Sequence, residues 1–234
     1  MRLPELPAYT LRRSSRARHV SLRVTPTEGL VVVVPLRFDT AHVPELINAK
    51  RRWIDRKLSA LEQFDREITL PDFIGLKALG TTWQVEYRST SSARVTARMT
   101  DDVLVLSGDV TSHANCRAAL RRWLARQGKK ALVPRLEKLS AAHDLPFRKV
   151  SVRGQKTRWG SCSSGKTISI NYQLLFLEPG LVDYVLIHEL CHTRHLNHGA
   201  AFWRDVGRIE PDYRLLHQTL RRERGHLPAW LMHY

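Results

Sequence analysis

Apolar and polar residues alternate along several short segments in the first half of the chain. A period of two is typical of a strand with one buried face, whereas a spacing of three or four is typical of one face of a helix. The alternation predicts strands over 20–24 and 83–88, short apolar runs predict strands over 30–34 and 103–106, and a further short strand is predicted near Val95. The wider spacing predicts one long helix over 40–64, for which Thr40 is a suitable N-cap.

The second half combines long helical patterns with two short strands. A helix is predicted over 116–139, with Pro134 expected to kink or split it. Strands over 150–152 and 168–170 flank a Gly- and Ser-rich loop. Pro179 suits the first turn of a further helix, for which Asn197 and Gly199 are stop signals. Two short helices follow, separated near Pro211.

This order of elements predicts an α+β fold with two regions. The first region, residues 1–112, is rich in strands and contains one long helix. The second, residues 113–234, carries the chemistry considered below. Hydrophobic residues make up 43% and charged residues 26% of the 234 residues, which excludes a collagen, a coiled-coil rod and a wholly disordered chain.

Composition also constrains compartment and partners. Three cysteines are too few for a secreted disulfide framework. The chain starts without an apolar targeting segment, and the run over 30–36 is too short to span a membrane, so we expect a cytoplasmic protein without membrane contact. A net charge of +16 favours polyanionic partners.

Much of the positive charge falls on the predicted helix over 116–139. Its basic residues flank an apolar stripe that contains Trp123. They are Arg117, Arg121, Arg122, Arg126, Lys129 and Lys130. Two interpretations stay open: a face that binds nucleic-acid phosphates without sequence specificity, or an ordinary solvated helix face.

The most specific motif is an H-E-x-x-H sequence on the helix that starts near Pro179. Residues four apart lie on one helical face, so His188 and His192 can reach one metal ion. Glu189 then lies beside the metal, where it can take a proton from metal-bound water. Imidazole ligands favour Zn²⁺, and we expect one ion per chain.

A catalytic zinc needs a third protein ligand, and two histidines compete for that position. His195 follows His188 by seven residues, which is about 10 Å along a straight helix and too far to share one ion. His198 lies between Asn197 and Gly199, where the chain can turn back over the metal. We therefore favour His198, with Asp205 and Glu210 as weaker candidates.

These motifs and their order resemble the YgjP-like metallopeptidase family, which is related to SprT-like zinc proteases. The resemblance is dense over 150–214. It rests on the segments 156–162 (KTRWGSC), 170–171 (IN), 183–185 (DYV), 188–192 (HELCH), 197–199 (NHG) and 202–203 (FW), with further similarity at 12–24 and 50–54. The resemblance implies a zincin-like core in which the HExxH helix packs on a small sheet. It also implies that His188, His192 and His198 bind zinc and that Glu189 is the general base.

Four further residues are candidates for substrate binding. Arg158 and Trp159 could line a cleft beside the metal, although Trp159 could equally be a core residue. Asn171, at a strand end, could bind substrate backbone or a local turn. Tyr184 lies one turn before His188, where it could donate to a developing oxyanion or simply pack.

The leading hypothesis is a zinc metallopeptidase of the HExxH type that acts on proteins or peptides. The same centre could instead hydrolyse nucleotide phosphoanhydrides, which the basic composition and Arg158 favour. A third hypothesis is a DNA-associated, SprT-like protease or binding protein.

Overall fold

The computed structural model describes residues 6–25 and 28–231. Their internal contacts form two compact units. The first contains the residues up to Thr69 together with 113–115, and the second contains 70–112 and the residues from Cys116 onward. The sequence predicts a different division, into a strand-rich region over 1–112 and a metallopeptidase region over 113–234, and this division stays a prediction.

The first unit contains a three-stranded sheet and two helices. Its strands are β1 (Tyr9–Ser14), β2 (Ser21–Thr25) and β3 (Gly29–Pro35), in the order β1-β3-β2. The central strand β3 is parallel to β1 and antiparallel to β2. Its inward side chains join residues of the helices in one apolar core: Leu30, Val32, Val34, Val43, Ile47 and Ile54.

The prediction of a single helix over 40–64 is wrong. A short 3₁₀ turn at Thr40–His42 leads into α1 (Val43–Ala49), and α2 (Arg51–Glu67) follows. The two helices are separated at Lys50, whose φ of −108° and ψ of 11° depart from helical values. The capping residue is Asp39 rather than Thr40, because the Asp39 carboxylate accepts a hydrogen bond from the Ala41 amide at 3.0 Å.

The second unit begins with a four-stranded sheet. Its strands are β4 (Phe73–Leu76), β5 (Thr81–Ser89), β6 (Thr96–Thr100) and β7 (Val103–Gly108), in the order β4-β5-β7-β6. Helix α3 (His113–Ala142) follows and continues through Pro134, which does not split it. Trp123 of α3 is buried against Trp83 of β5 with perpendicular rings 5.6 Å apart, so the predicted apolar stripe of this helix is its core face.

A third sheet and three helices complete the second unit. The strands β8 (Lys149–Arg153), β9 (Gly160–Cys162) and β10 (Thr167–Asn171) have the order β8-β10-β9. The helices are α4 (Pro179–Cys191), α5 (Ala200–Ile209) and α6 (Tyr213–Glu223). The prediction of a loop between β8 and β10 is wrong in part, because residues 160–162 form strand β9, which pairs antiparallel with β10.

Helix α4 is the central element of the second unit. Pro179 occupies its first turn, as predicted, and most of its side chains are buried. Arg135 of α3 fastens its start by donating to the Pro179 carbonyl at 2.9 Å and to Asp183 Oδ2 at 2.8 Å. The fold is therefore α+β, and the predicted zincin-like arrangement of the HELCH helix on a small sheet is confirmed.

Among the described residues, no helix is long and apolar enough to cross a membrane.

Candidate metal centre

Helix α4 and the turn that follows it bring three histidines together. His188 and His192 lie one helical turn apart, and the chain after Cys191 folds back so that His198 approaches them. Each histidine offers one ring nitrogen, and these atoms all lie within 4.8 Å of one another. The Nε2 atoms of His188 and His198 are 3.0 Å apart. Of the groups of His, Cys, Asp and Glu in the described ranges, this is the one with three members suitably placed for a metal.

Backbone hydrogen bonds form the turn that carries His198. Thr193 and Arg194 donate to the last carbonyls of α4, at Leu190 and Cys191, with distances of 2.9 and 3.1 Å. Gly199 then donates to Asn197 Oδ1 at 3.3 Å, immediately before α5 begins. The predicted stop of the helix at Asn197 and Gly199 is wrong, because α4 ends at Cys191 and a hydrogen-bonded turn separates it from them. This earlier end leaves enough chain for His198 to return to the other two histidines.

Neighbouring groups fix the orientation of the imidazoles. His192 Nδ1 lies 2.8 Å from the His195 carbonyl, so Nδ1–H donates and Nε2 is left as the acceptor that a metal needs. The Phe202 ring stacks on His192 with centroids 4.5 Å apart, and the Trp203 ring stacks on His198 at 5.6 Å. These two aromatic residues at the start of α5 hold the histidine cluster from one side.

His195 has a different place from the three clustered histidines. Its Nε2 atom lies 2.9 Å from Asp205 Oδ2, and its carbonyl contacts His192. The hydrogen bond to His195 lowers the pKa of Asp205. His195 and Asp205 thus connect α5 to the turn that carries the cluster, and neither joins the group of possible ligands among the described residues.

Glu189 is buried against the backbone of β9. A Cβ atom at Gly160 would lie 2.7 Å from Glu189 Oε1, so only glycine leaves room for the carboxylate. Burial raises the pKa of Glu189 to about 8, and the charge of Arg158 opposes this shift. Its Oε2 atom is buried without a hydrogen-bond partner among the described residues. A divalent cation beside the carboxylate would stabilise its ionised form.

The donor set fits zinc. Around a tetrahedral ion with Zn–N distances of about 2.0–2.1 Å, ligand nitrogens lie roughly 3.3 Å apart, close to the 3.0 Å between the Nε2 atoms of His188 and His198. Burial, followed by the neighbouring histidines, lowers the pKa of His188 to about 3. His188 is therefore neutral at physiological pH, which is the form that binds a metal.

A cavity of about 660 Å³ opens beside the three histidines. Arg158, Trp159 and Tyr184 line it, together with His188, Glu189 and His198. The remaining lining residues are Thr157, Gly160, Val185, Trp203, His217 and Leu220. The structure thus brings three of the four candidate substrate-binding residues to one concave surface.

Asn171, the fourth candidate, does not line this cavity. It is fully buried, and its Nδ2 atom donates to the carbonyls of Gln155 and Arg158 at 3.0 and 2.8 Å. Its Oδ1 atom accepts from the Gln173 amide at 3.1 Å. Asn171 therefore anchors the loop that presents Arg158 to the cavity.

Two cavity features are missed by the sequence interpretation. His217 of α6 lines the cavity, and its Nδ1 atom lies 3.0 Å from the Tyr184 hydroxyl. His217 lies far along the chain from the HELCH motif, so motif spacing does not indicate it. The only sequence signal for it is a histidine within an amphipathic helix. Gly160 is the other, since a lone glycine in a Gly- and Ser-rich segment indicates a turn before it indicates a close approach.

A second loop contact comes from the C-terminal part of the second unit. Arg224 donates to the Lys156 carbonyl at 2.7 Å, and its guanidinium lies 5.3 Å from the centre of the Trp159 ring. The cavity-lining loop over 156–159 is therefore held from two sides, by Asn171 within the sheet and by Arg224 after α6.

The chain is similar to known metallopeptidases in two of three comparisons. A family model described as "YgjP-like, metallopeptidase domain" matches residues 18–223. No curated protein matches the chain. A crystal structure of the metallopeptidase zymogen abylysin from Pyrococcus abyssi is 24% identical, with a TM-score of 0.36, and the match covers 39% of this chain and 93% of that one.

Proposed function

Because that family model spans most of the chain, the protein belongs to the YgjP-like metallopeptidase family, and we propose that it is a zinc-dependent peptidase of the HExxH type. His188, His192 and His198 would hold one zinc ion, and Glu189 would be the general base. The substrates would be proteins or peptides, as for a metallopeptidase in general.

The observation that carries this proposal is the convergence of three ring nitrogens within 4.8 Å beside a buried carboxylate. A buried carboxylate oxygen without a hydrogen-bond partner costs stability. Glu189 Oε2 is in that state among the described residues. A cation held by the three histidines would offset this cost, whereas a purely structural role of Glu189 would not.

When bound, zinc supplies a Lewis acid that polarises a carbonyl group and lowers the pKa of water. Glu189 would accept a proton from the attacking water at its carboxylate and donate that proton to the leaving amine. The close approach of Gly160 limits the positions open to the carboxylate beside the cavity, so little reorganisation would be needed during the transfer.

Tyr184 would donate a hydrogen bond to the oxyanion that develops on the substrate carbonyl. Its ring lies one turn before His188, with centroids 6.0 Å apart, and its hydroxyl reaches the cavity side where His217 lies. Burial raises its pKa, so the hydroxyl keeps its proton and stays a donor. Arg158 and Trp159, which line the same cavity, would contact the substrate.

The test compares Glu189→Gln with the wild-type protein in two measurements, metal content by mass spectrometry and cleavage of an unfolded protein. We expect about one zinc per chain in both proteins, and a loss of at least about 10³-fold in cleavage by the variant because the proton acceptor is gone. His198→Ala should lose both zinc and cleavage.

Two outcomes would overturn the proposal. Cleavage by Glu189→Gln at the wild-type rate would exclude Glu189 as the base. Retention of zinc by His198→Ala at wild-type affinity would exclude His198 as a ligand, and Asp205 and Glu210 would then be tested.

Hydrolysis of a nucleotide phosphoanhydride is the second candidate function, and one observation favours it. Arg158 lines the same cavity as the histidine cluster, where its guanidinium could bind a phosphate group. Phosphate release from nucleoside triphosphates by the zinc-loaded protein tests this function. No release at high enzyme concentration would remove it.

A further inference from the structure

A second concave surface, of about 370 Å³, lies on the second unit and shares no residue with the cavity of the candidate metal centre. It is formed where the edge strand β6 meets α3. Four of its lining residues are arginines, and none is acidic or aromatic. The arginines are Arg94, Arg98, Arg122 and Arg126, which we call the arginine groove, and the other lining residues are Thr96, Ala97 and Ala119.

Two of the four arginines are fixed by the sheet edge. Arg122 donates to the Val95 carbonyl and Arg126 to the Ala97 carbonyl, each through Nη2 at 2.8 Å. Ala97 lies in β6, which pairs with β7 only and is therefore an edge strand, and Val95 directly precedes β6. A guanidinium has five N–H donors, so each side chain keeps donors for a ligand while its position is held.

The other two arginines have no such partner. Arg94 and Arg98 are exposed, and no ion pair or side-chain hydrogen bond within the described ranges includes either side chain. Covering the free edge of a sheet explains Arg122 and Arg126, but it does not explain two further guanidinium groups on the same groove.

The like charges of Arg94 and Arg126 both act on Arg122. No carboxylate lies within ion-pair distance of any of them in the described part of the chain. Burial lowers the pKa of Arg122, and the charges of Arg94 and Arg126 lower it further. A concentration of like charge without a counter-charge costs stability, and an anionic ligand would relieve this repulsion.

We propose that the arginine groove binds the phosphate backbone of double-stranded nucleic acid, without reading its sequence. Arg122 and Arg126 are one helical turn apart, about 6 Å along α3. Lys129 is also exposed and continues the same basic face of the helix. Such a row of cations suits a continuous polyanion rather than a single phosphate group.

The composition of the groove favours a duplex over a single strand. Proteins that bind single strands use exposed aromatic residues on which the bases stack, and the arginine groove has none. Arginine forks that contact phosphate oxygens fix a duplex in position but carry no sequence information. Binding at this site needs no catalytic residue, so it is independent of the peptidase function.

The test measures the fluorescence anisotropy of a labelled 20-base-pair duplex with the full-length, zinc-loaded protein over a range of salt concentrations. The test variant is Arg94→Gln combined with Arg98→Gln, since neither side chain supports the fold through a hydrogen bond in the described residues. We expect duplex affinity to fall at least about ten-fold at 100 mM salt. The slope of log affinity against log salt should decrease in magnitude by about two, because two phosphate contacts are lost.

A matched control removes the same charge elsewhere on the second unit. Lys138→Gln combined with Arg148→Gln changes two exposed side chains outside the groove, and we expect it to lower affinity by less than about three-fold. Equal effects of the two double variants would overturn the proposal, since binding would then follow net charge alone. Displacement of the duplex by millimolar inorganic phosphate at constant ionic strength would also overturn it, since the groove would then bind single anions.

Discussion

Gly160 is the residue at which β9 comes closest to the candidate general base. The Gly160→Ala variant would place a methyl group 2.7 Å from the Cγ and Oε1 atoms of Glu189. The neighbouring atoms on β9 are backbone, so the Glu189 side chain must move. A displacement of about 1 Å in a catalytic group can reduce turnover by about 10²-fold. We therefore expect Gly160→Ala to lose about 10²-fold in kcat/KM on a peptide substrate and to keep its zinc.

Gly165 provides the matched control for Gly160. It lies in the same segment, and the nearest atom to an added Cβ there is Ser163 Oγ at 3.9 Å. Gly165→Ala should therefore have wild-type kcat/KM. Loss of zinc by Gly160→Ala, or an equal loss of activity in both variants, would show that the glycine supports the fold of the segment rather than the position of Glu189.

Tyr184 is the second residue whose role a single conservative substitution can test. Tyr184→Phe keeps the ring that packs beside His188 and removes only the hydroxyl that contacts His217. If the hydroxyl stabilises an oxyanion, the loss is confined to the transition state, and we expect kcat to fall by about 10²-fold with KM unchanged. Steady-state kinetics of the zinc-loaded variant provides the measurement. An unchanged kcat would leave Tyr184 with a packing role alone.

At the scale of elements, short-range patterns account for most of what the sequence predicts. Helix α4 carries both a start signal, Pro179, and a chemically specific motif, so its type and position follow from local sequence. The strands β5, β8 and β10 follow from alternation, and β7 follows from a short apolar run. The sequence did not predict β1, β4 or β9. Strand β9 has three residues and exists through its pairing with β10, a long-range contact that no local period encodes.

The residues of the candidate site likewise fall into those that local sequence predicts and those that depend on tertiary contacts. The residues of the HELCH motif and His198 follow from helical spacing and a turn signal. Asn171 and His217 depend on tertiary contacts instead. Asn171 is buried with its amide bonded to the loop carbonyls of Gln155 and Arg158, and His217 reaches Tyr184 from a helix 33 residues further along the chain. Polar groups of this kind are assigned only once their partners in space are known.

Arg224, in the turn after α6, contacts the loop over 156–159, and we expect this contact to affect peptide binding. Arg224→Ala removes a hydrogen bond to the Lys156 carbonyl and the cation over the Trp159 ring. The loop lines the cavity beside the three histidines, and none of its residues belongs to the group of possible metal ligands among the described residues. We therefore expect KM for peptides to rise by several-fold with a smaller change in kcat. Arg221→Ala, an exposed position on α6, is the control. A fall in kcat with unchanged KM would contradict this assignment.

At the scale of the whole molecule, the described residues form two compact units. The first unit has an apolar core built on β3, with Leu30, Val32 and Val34 fully buried. The three histidines all belong to the second unit. A ligand that binds only the folded state stabilises the unit that forms its site. Metal binding should therefore act on the second unit and leave the first unchanged.

Calorimetry in the presence and absence of a chelator tests this expectation. Zinc removal should lower the Tm of the second unit, because the three imidazoles would lose the ion that they bind and the buried Glu189 carboxylate would lose its neighbouring cation. At a zinc concentration of about 1,000 times the dissociation constant, the metal contributes about 4 kcal/mol, so the shift should be several degrees. Hydrogen exchange assigns the shifted transition, with amides of β3 reporting on the first unit and those of α4 on the second. His198→Ala should show no shift on chelation. Equal shifts in both units would mean that they unfold as one cooperative structure, and the metal would then stabilise the whole chain.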